Sequence, residues 1–173
     1  MATLLTLAAG LNHAPFTGVP TPVSNTPVTA SHSFDLATDG STPGTALNDN
    51  DVIEMVWLPA LCVLVPGLVY LASGELDDHA TPTMVLNLGV SVGGTLDEDA
   101  IIDGFTVGAT WQIQNGPNNA LVATGAFESI GYSDSARAVS ITVEGDPADD
   151  TVTGVIELTI GYRMKRQGDT NTD

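Results

Sequence analysis

Carboxylates are the reactive groups this chain has in number, with 21 Asp and Glu among 173 residues against 4 Lys and Arg and 3 His. Two runs, Asp77-Asp78-His79 and Asp97-Glu98-Asp99, are dense enough to form an oxygen-rich calcium site with Asp103 if the fold brought them together. Neither run has the ordered oxygen spacing and distant bidentate Glu of an EF-hand loop. Acidic runs beside Gly or Pro are ordinarily solvated, so no metal is expected. Asp169-Thr-Asn-Thr-Asp173 imitates the start of such a loop without a later ligand, and residues 167–173 read as a frayed tail. Sugar hydrolysis would need two carboxylates in a cleft, generally with aromatic platforms, and 4 Phe, 2 Trp and 3 Tyr are few for that purpose.

Nucleophilic chemistry is no better served. Gly131-Tyr-Ser133-Asp-Ser135 has serine where a nucleophile elbow requires its second glycine, and His13, His32 and His79 all precede it. Gly89-Val-Ser-Val-Gly93-Gly94 lacks the lysine of a phosphate loop and the spacing of a dinucleotide fingerprint, and is explained by a turn. The single cysteine, Cys62, lies inside the apolar run 61–65; it can form no intramolecular disulfide and reads as a buried, inert thiol. The sequence therefore predicts neither an enzyme nor a cofactor.

Charge excludes more. A net charge of −17 repels phosphate, which rules against nucleic acid as a main partner and against anionic membranes. Three of the four cations are packed into Arg163-Met-Lys-Arg166 and the fourth is Arg137, so positive charge is a local feature that an acidic partner, or another copy of the chain, could meet. No window approaches the ~20 uninterrupted apolar residues of a spanning helix. The apolar start, Met1 to Gly10, has no basic flank before it and reads as part of the mature protein.

These groups must be positioned by strands. Residues 1–48 hold Pro15, Pro20, Pro22, Pro27 and Pro43 among many threonines, which predicts an extended arm. Leu11, Phe16, Val19, Val23, Val28, Phe34 and Leu36 give that arm apolar groups to lay on a surface. From residue 49 to 166 strand signals are dense. Val52 to Leu58 is β-branched and aromatic; Leu61 to Val65 and Leu68 to Leu71 flank Pro66-Gly67 as a hairpin or as one kinked strand. Further strands are expected over Met84 to Val90, Phe105 to Ile113 and Ala120 to Phe127, the last two separated by a loop at Asn115 to Asn119. Val139 to Glu144 alternates, and Val152, Ile156, Leu158, Ile160 and Tyr162 share one face. Thr95 with Glu98 has capping-box spacing, so one helical turn is expected over Leu96 to Ile102. About eight short strands without βαβ alternation predict an all-β antiparallel β-sandwich, jelly-roll-like, with another Greek-key sandwich as the alternative. Removing residues 1–48 should leave it folded.

The strand ending at Leu58-Pro59, together with Leu76-Asp-Asp78, Thr81-Pro-Thr-Met84, Leu86-Asn-Leu-Gly89 and Ile102-Asp-Gly104, resembles the decoration or cement proteins of tailed-bacteriophage heads, though Asn87 stands where an aspartate is expected. The resemblance implies a protein on the outer surface of the virion capsid, made in the host cytoplasm, that cements adjacent subunits of the major capsid protein. It implies self-association, as a trimer before a dimer. Phe16, Val23, Val28 and Phe34 would then anchor the arm, and Arg163, Lys165 and Arg166 would make polar contacts with capsid or sister subunits. A head fibre or tail component, or a calcium- or glycan-binding sandwich, would share much of the pattern.

Overall fold

The computed structural model describes residues 26–40, 43–92, 94–108, 110, 112–116, 132–149 and 152–169. Eight strands follow one another: β1 Val28–Asp35, β2 Val52–Leu58, β3 Cys62–Gly74, β4 Val85–Val92, β5 Thr95–Thr106, β6 Gln112–Gly116, β7 Arg137–Glu144 and β8 Val155–Met164. They form two four-stranded sheets, ordered β1-β8-β3-β6 and β2-β7-β4-β5. Every named pairing is antiparallel, and the first strand pairs with the last, the second with the last but one, and so inward to β4 with β5. A long antiparallel ribbon wrapped in this way is a jelly roll. The all-β sandwich read from the sequence is therefore the observed fold.

Alternation explains which residues meet between the sheets. Ile156, Leu158, Ile160 and Tyr162 of β8 are fully buried, as are Ile53 and Met55 of β2 and Val139 and Ile141 of β7. Val152, expected on the same face as the β8 residues, lies before the strand and is exposed. The Pro66-Gly67 signal is a kink within one strand: β3 keeps β8 as its neighbour on both sides of an irregularity between Leu64 and Val69. Gly67 sits there at φ 80°, where glycine carries no Cβ penalty.

Three further expectations need correction. The helical turn at Leu96 to Ile102 is instead part of β5. Its alternation is broken by irregular register against β4, between Leu88 and Val90, so consecutive acidic residues project outward and mimic a polar helical surface. The strand expected over Phe105 to Ile113 is the end of β5 and the start of β6, and Asn115 and Gly116 pair with Tyr70 and Val69 instead of forming a loop. The Ala120 to Phe127 strand lies outside the described residues.

The arm boundary at residue 48 also moves. Val28–Asp35 is β1, paired along its length with β8. Phe34 and Leu36 are buried and Leu47 is 0% exposed, so residues 28–40 and 43–48 belong to the sandwich. The prolines flank the strand at Pro27 and Pro43 and do not interrupt it. Deleting residues 1–48 would remove an edge strand and the core side chains of Ala30, Phe34, Leu36 and Leu47, and would not spare the fold. Phe34→Leu, which keeps an apolar but smaller group, should lower unfolding free energy by about 1–2 kcal/mol in urea denaturation; an unchanged midpoint would place Phe34 outside the core.

Candidate functional site

The basic sequence Arg163-Met-Lys-Arg166 closes β8, and its members do different things. Arg163 grips Asp169 with both prongs of its guanidinium, Nη1 to Oδ2 at 2.8 Å and Nη2 to Oδ1 at 3.0 Å. Nη1 also donates to the Met164 carbonyl at 2.9 Å. The Arg163 hydrogen bonds, opposed by burial and helped by the Arg166 amide, bring the Asp169 carboxyl down to about 2. Residues 167–169 are thus folded back on the strand end, which corrects the frayed-tail reading for them; residues 170–173 lie outside the described residues. Lys165 is exposed and holds Nζ 4.3 Å from the centroid of the Tyr132 ring. Arg166 is exposed.

Arg137 is only 4% exposed, and its Nη2 donates to the Cys62 carbonyl at 3.2 Å. It ties the start of β7 to the start of β3. Burial pushes the Cys62 thiol up, against the opposing Arg137 charge, as expected of an inert cysteine. Two of the four cations therefore serve the fold, while Lys165 and Arg166 face solvent.

The apolar anchors divide in the same way. Phe34 is buried in the chain's own core, so it offers no surface to a partner, and Val28 packs against that core partly exposed. Phe16 and Val23 lie outside the described residues.

The acidic runs separate. Asp77 is fully buried at the end of the β3 connection, where Oδ2 accepts from the amides of Thr83, Met84 and Ala148 at 2.8, 3.2 and 3.0 Å. Asp97, Glu98, Asp99 and Asp103 instead join Asp49 and Glu144 around an open cleft of about 530 Å³ on the outer face of the β2-β7-β4-β5 sheet. Burial, then the hydrogen bond and charge of Asp99, push the Asp97 carboxyl up. Asn87 and Thr142, cross-strand partners, form its floor. Asn87 Oδ1 accepts from the Gly104 amide at 2.9 Å and Nδ2 donates to Glu144 at 3.1 Å. The aspartate expected at this position would bring a like charge to Glu144, which gives the departure from the resemblance a local reason. Among the described residues no three His, Cys, Asp or Glu side chains are placed to hold a metal ion.

Glu144 and Thr142 were within reach of the sequence, as polar positions of the alternating strand β7. Their meeting with Asp49 and the β5 acids was not, because it depends on β7 lying between β2 and β4. Ser133, the nucleophile candidate, is 4% exposed and accepts from the Ser135 amide at 3.0 Å, a local turn bond.

No protein-family model matches the chain, and neither does any curated protein sequence. Solved structures do match. A chain from the capsid of Ralstonia phage GP4 superposes with a TM-score of 0.64 over 95% of this chain and 99% of that one, at 21% identity. The fold is one found in phage capsids. A chain of the cyanophage Pam1 capsid asymmetric unit gives a TM-score of 0.54 at 17% identity, covering 88% of this chain and 94% of that one. Both agreements run nearly end to end, so they match the jelly roll as a whole and not a shared hairpin.

Proposed function

We propose that this chain is a phage virion structural protein that binds the outer surface of the head and cements neighbouring major capsid protein subunits. The end-to-end agreement with a chain of a phage capsid, 95% of one and 99% of the other, carries the reading. The molecule's physical character supports it. A chain of charge −17 is repelled by DNA, and an adhesive protein needs contacts in place of a catalytic centre.

The mechanism is multivalent adhesion. A folded sandwich sits over a junction between subunits, and residues 1–25, with Phe16 and Val23, reach an adjacent one. Each added contact is intramolecular once the first is made, so modest individual affinities multiply. Lys165 and Arg166 supply the polar contacts at the strand end, with Arg163 holding that end in shape through Asp169. Copies associate, as trimers in preference to dimers.

Purified protein mixed with capsids lacking it should bind at fixed stoichiometry and raise their resistance to heat or chelator; absence of binding, or binding without added stability, sinks the reading. Electron microscopy of whole particles separates a head position from a fibre or tail position. Deleting residues 1–25 should leave the thermal midpoint nearly unchanged and weaken attachment by at least about tenfold. Equal attachment of the truncated chain would remove the arm from the mechanism.

A further inference from the structure

The chain's Lys and Arg residues are gathered at one end of the sandwich. Arg137 begins β7, and its bond to the Cys62 carbonyl, with Cys62 opposite Met164, sets it beside the end of β8 where Arg163, Lys165 and Arg166 stand. Glu144 ends β7, so an eight-residue strand, roughly 23 Å long at the usual rise, lies between the chain's cations and the acidic cleft. These four are all the Lys and Arg in the sequence, and none of them lines the cleft.

The cleft also holds an unused polar group. Thr142 is 3% exposed, points to the same face as its partner Asn87, and its Oγ1 has no hydrogen-bond partner among the described residues. A buried hydroxyl left unpaired costs free energy that a ligand bearing donors could recover. The ligand is not well described as a bare metal ion, because no three of these carboxylates converge and the 530 Å³ opening far exceeds a single coordination sphere. A planar group with several donors in a fork, on a stem long enough to reach the floor, fits both the spread of the acids and the hydroxyl beneath them.

We propose that this cleft receives an arginine side chain of a partner protein, its guanidinium lying among Asp97, Asp99 and Glu144 above Thr142. That the partner belongs to a phage head rests on the function proposed above; the chemistry of the cleft does not. At this lining, whose charged groups are all acidic, a basic partner is favoured over a second copy of net charge −17, and association of copies through other faces is not opposed by it.

The test uses the full chain in isolation. Titration with the tripeptide acetyl-Gly-Arg-Gly-amide at low ionic strength, followed by amide NMR shifts, should give saturable changes at Asn87, at residues 97–103 and at Thr142. Asp97→Asn with Asp99→Asn should weaken binding about fivefold or more, while Glu157→Gln with Asp149→Asn, the same charge removed elsewhere, should not. Thr142→Val keeps the branched shape of the residue and should weaken binding without lowering the thermal midpoint. Shifts scattered over all acidic loops, equal weakening by both double variants, or calcium chloride giving the saturable response and expelling the peptide would each overturn the proposal. Failure to bind capsids alongside a positive titration would instead count against the proposed function alone.

Discussion

Asp77→Ala should lower unfolding free energy by about 3–5 kcal/mol, a large part of the 5–15 kcal/mol typical of a domain. The side chain is fully buried, and burial alone would raise its pKa. It is nevertheless lowered, because the amides of Ala148, Thr83, Met84 and His79 all donate to the charged form. Three of these donors converge on Oδ2, and the His79 amide reaches Oδ1 at 3.4 Å. Alanine would strand the buried Met84 amide, unpair those of Thr83, Ala148 and His79, and release two segments at once, the 77–84 connection into β4 and the 146–149 loop after β7. Asp77→Asn can keep an oxygen toward the three amides and lose only the weaker contact, so it should cost about 1–3 kcal/mol.

The pH dependence follows in sign. A carboxyl whose folded pKa lies below its unfolded value, near 3.9, contributes its stabilisation fully above that unfolded value. The contribution is lost as pH falls through the lower, folded pKa. Urea melts of the parent chain should therefore weaken across that acid window, and Asp77→Asn should flatten part of the dependence. A parallel pair of stability curves would show that Asp77 contributes nothing to it.

The same end of the sandwich shows why acid content was misleading as a measure of surface. Asp49 Oδ1 accepts from the Gly145 amide, Asp146 Oδ1 from the Asp49 amide and Asp51 Oδ2 from the Asn48 amide. Loops between sandwich strands leave amides without ladder partners, and short carboxylates satisfy them. Part of the charge excess is thus internal wiring, and another part, Asp97, Glu98, Asp99, Asp103 and Glu144, lines the cleft.

Legibility tracked regularity. Strands β2, β7 and β8 alternate or run apolar without interruption, and their cores could be read from the sequence alone. Strand β1 also alternates, with Ala30 and Phe34 buried and Thr29, Ser31 and Ser33 exposed, but it is short on large apolar residues and sits between prolines that dominate the local composition. Strand β5 defeats a period-two reading because Asp97, Glu98 and Asp99 are all exposed in succession. A bulge is set by the neighbouring strand, here by Gly89 on β4, and nothing within residues 95–106 announces it. The cleft depends on that bulge as well as on strand order, which is why its members were legible singly and not as a set.

Gly89→Ala is accordingly expected to be severe, at about 3 kcal/mol or more, although Gly89 lies inside a strand and not at a left-handed turn. A Cβ there would stand 2.0 Å from the Asp97 carbonyl oxygen and 2.6 Å from that of Glu98. Both are backbone atoms and cannot swing aside, so β5 must move away from β4. Gly104→Ala is the informative contrast. Gly104 has φ 79° and open space where its Cβ would go, so it should cost only the left-handed penalty of about 1–2 kcal/mol. Hydrogen exchange should then show β5 amides losing protection in the Gly89 variant while those of β1 and β8 keep theirs, with the arginine tripeptide no longer bound because the carboxylates on the bulge have shifted. If Gly104→Ala proves the more damaging of the two, the close backbone approach at Gly89 is not what holds the bulge in place.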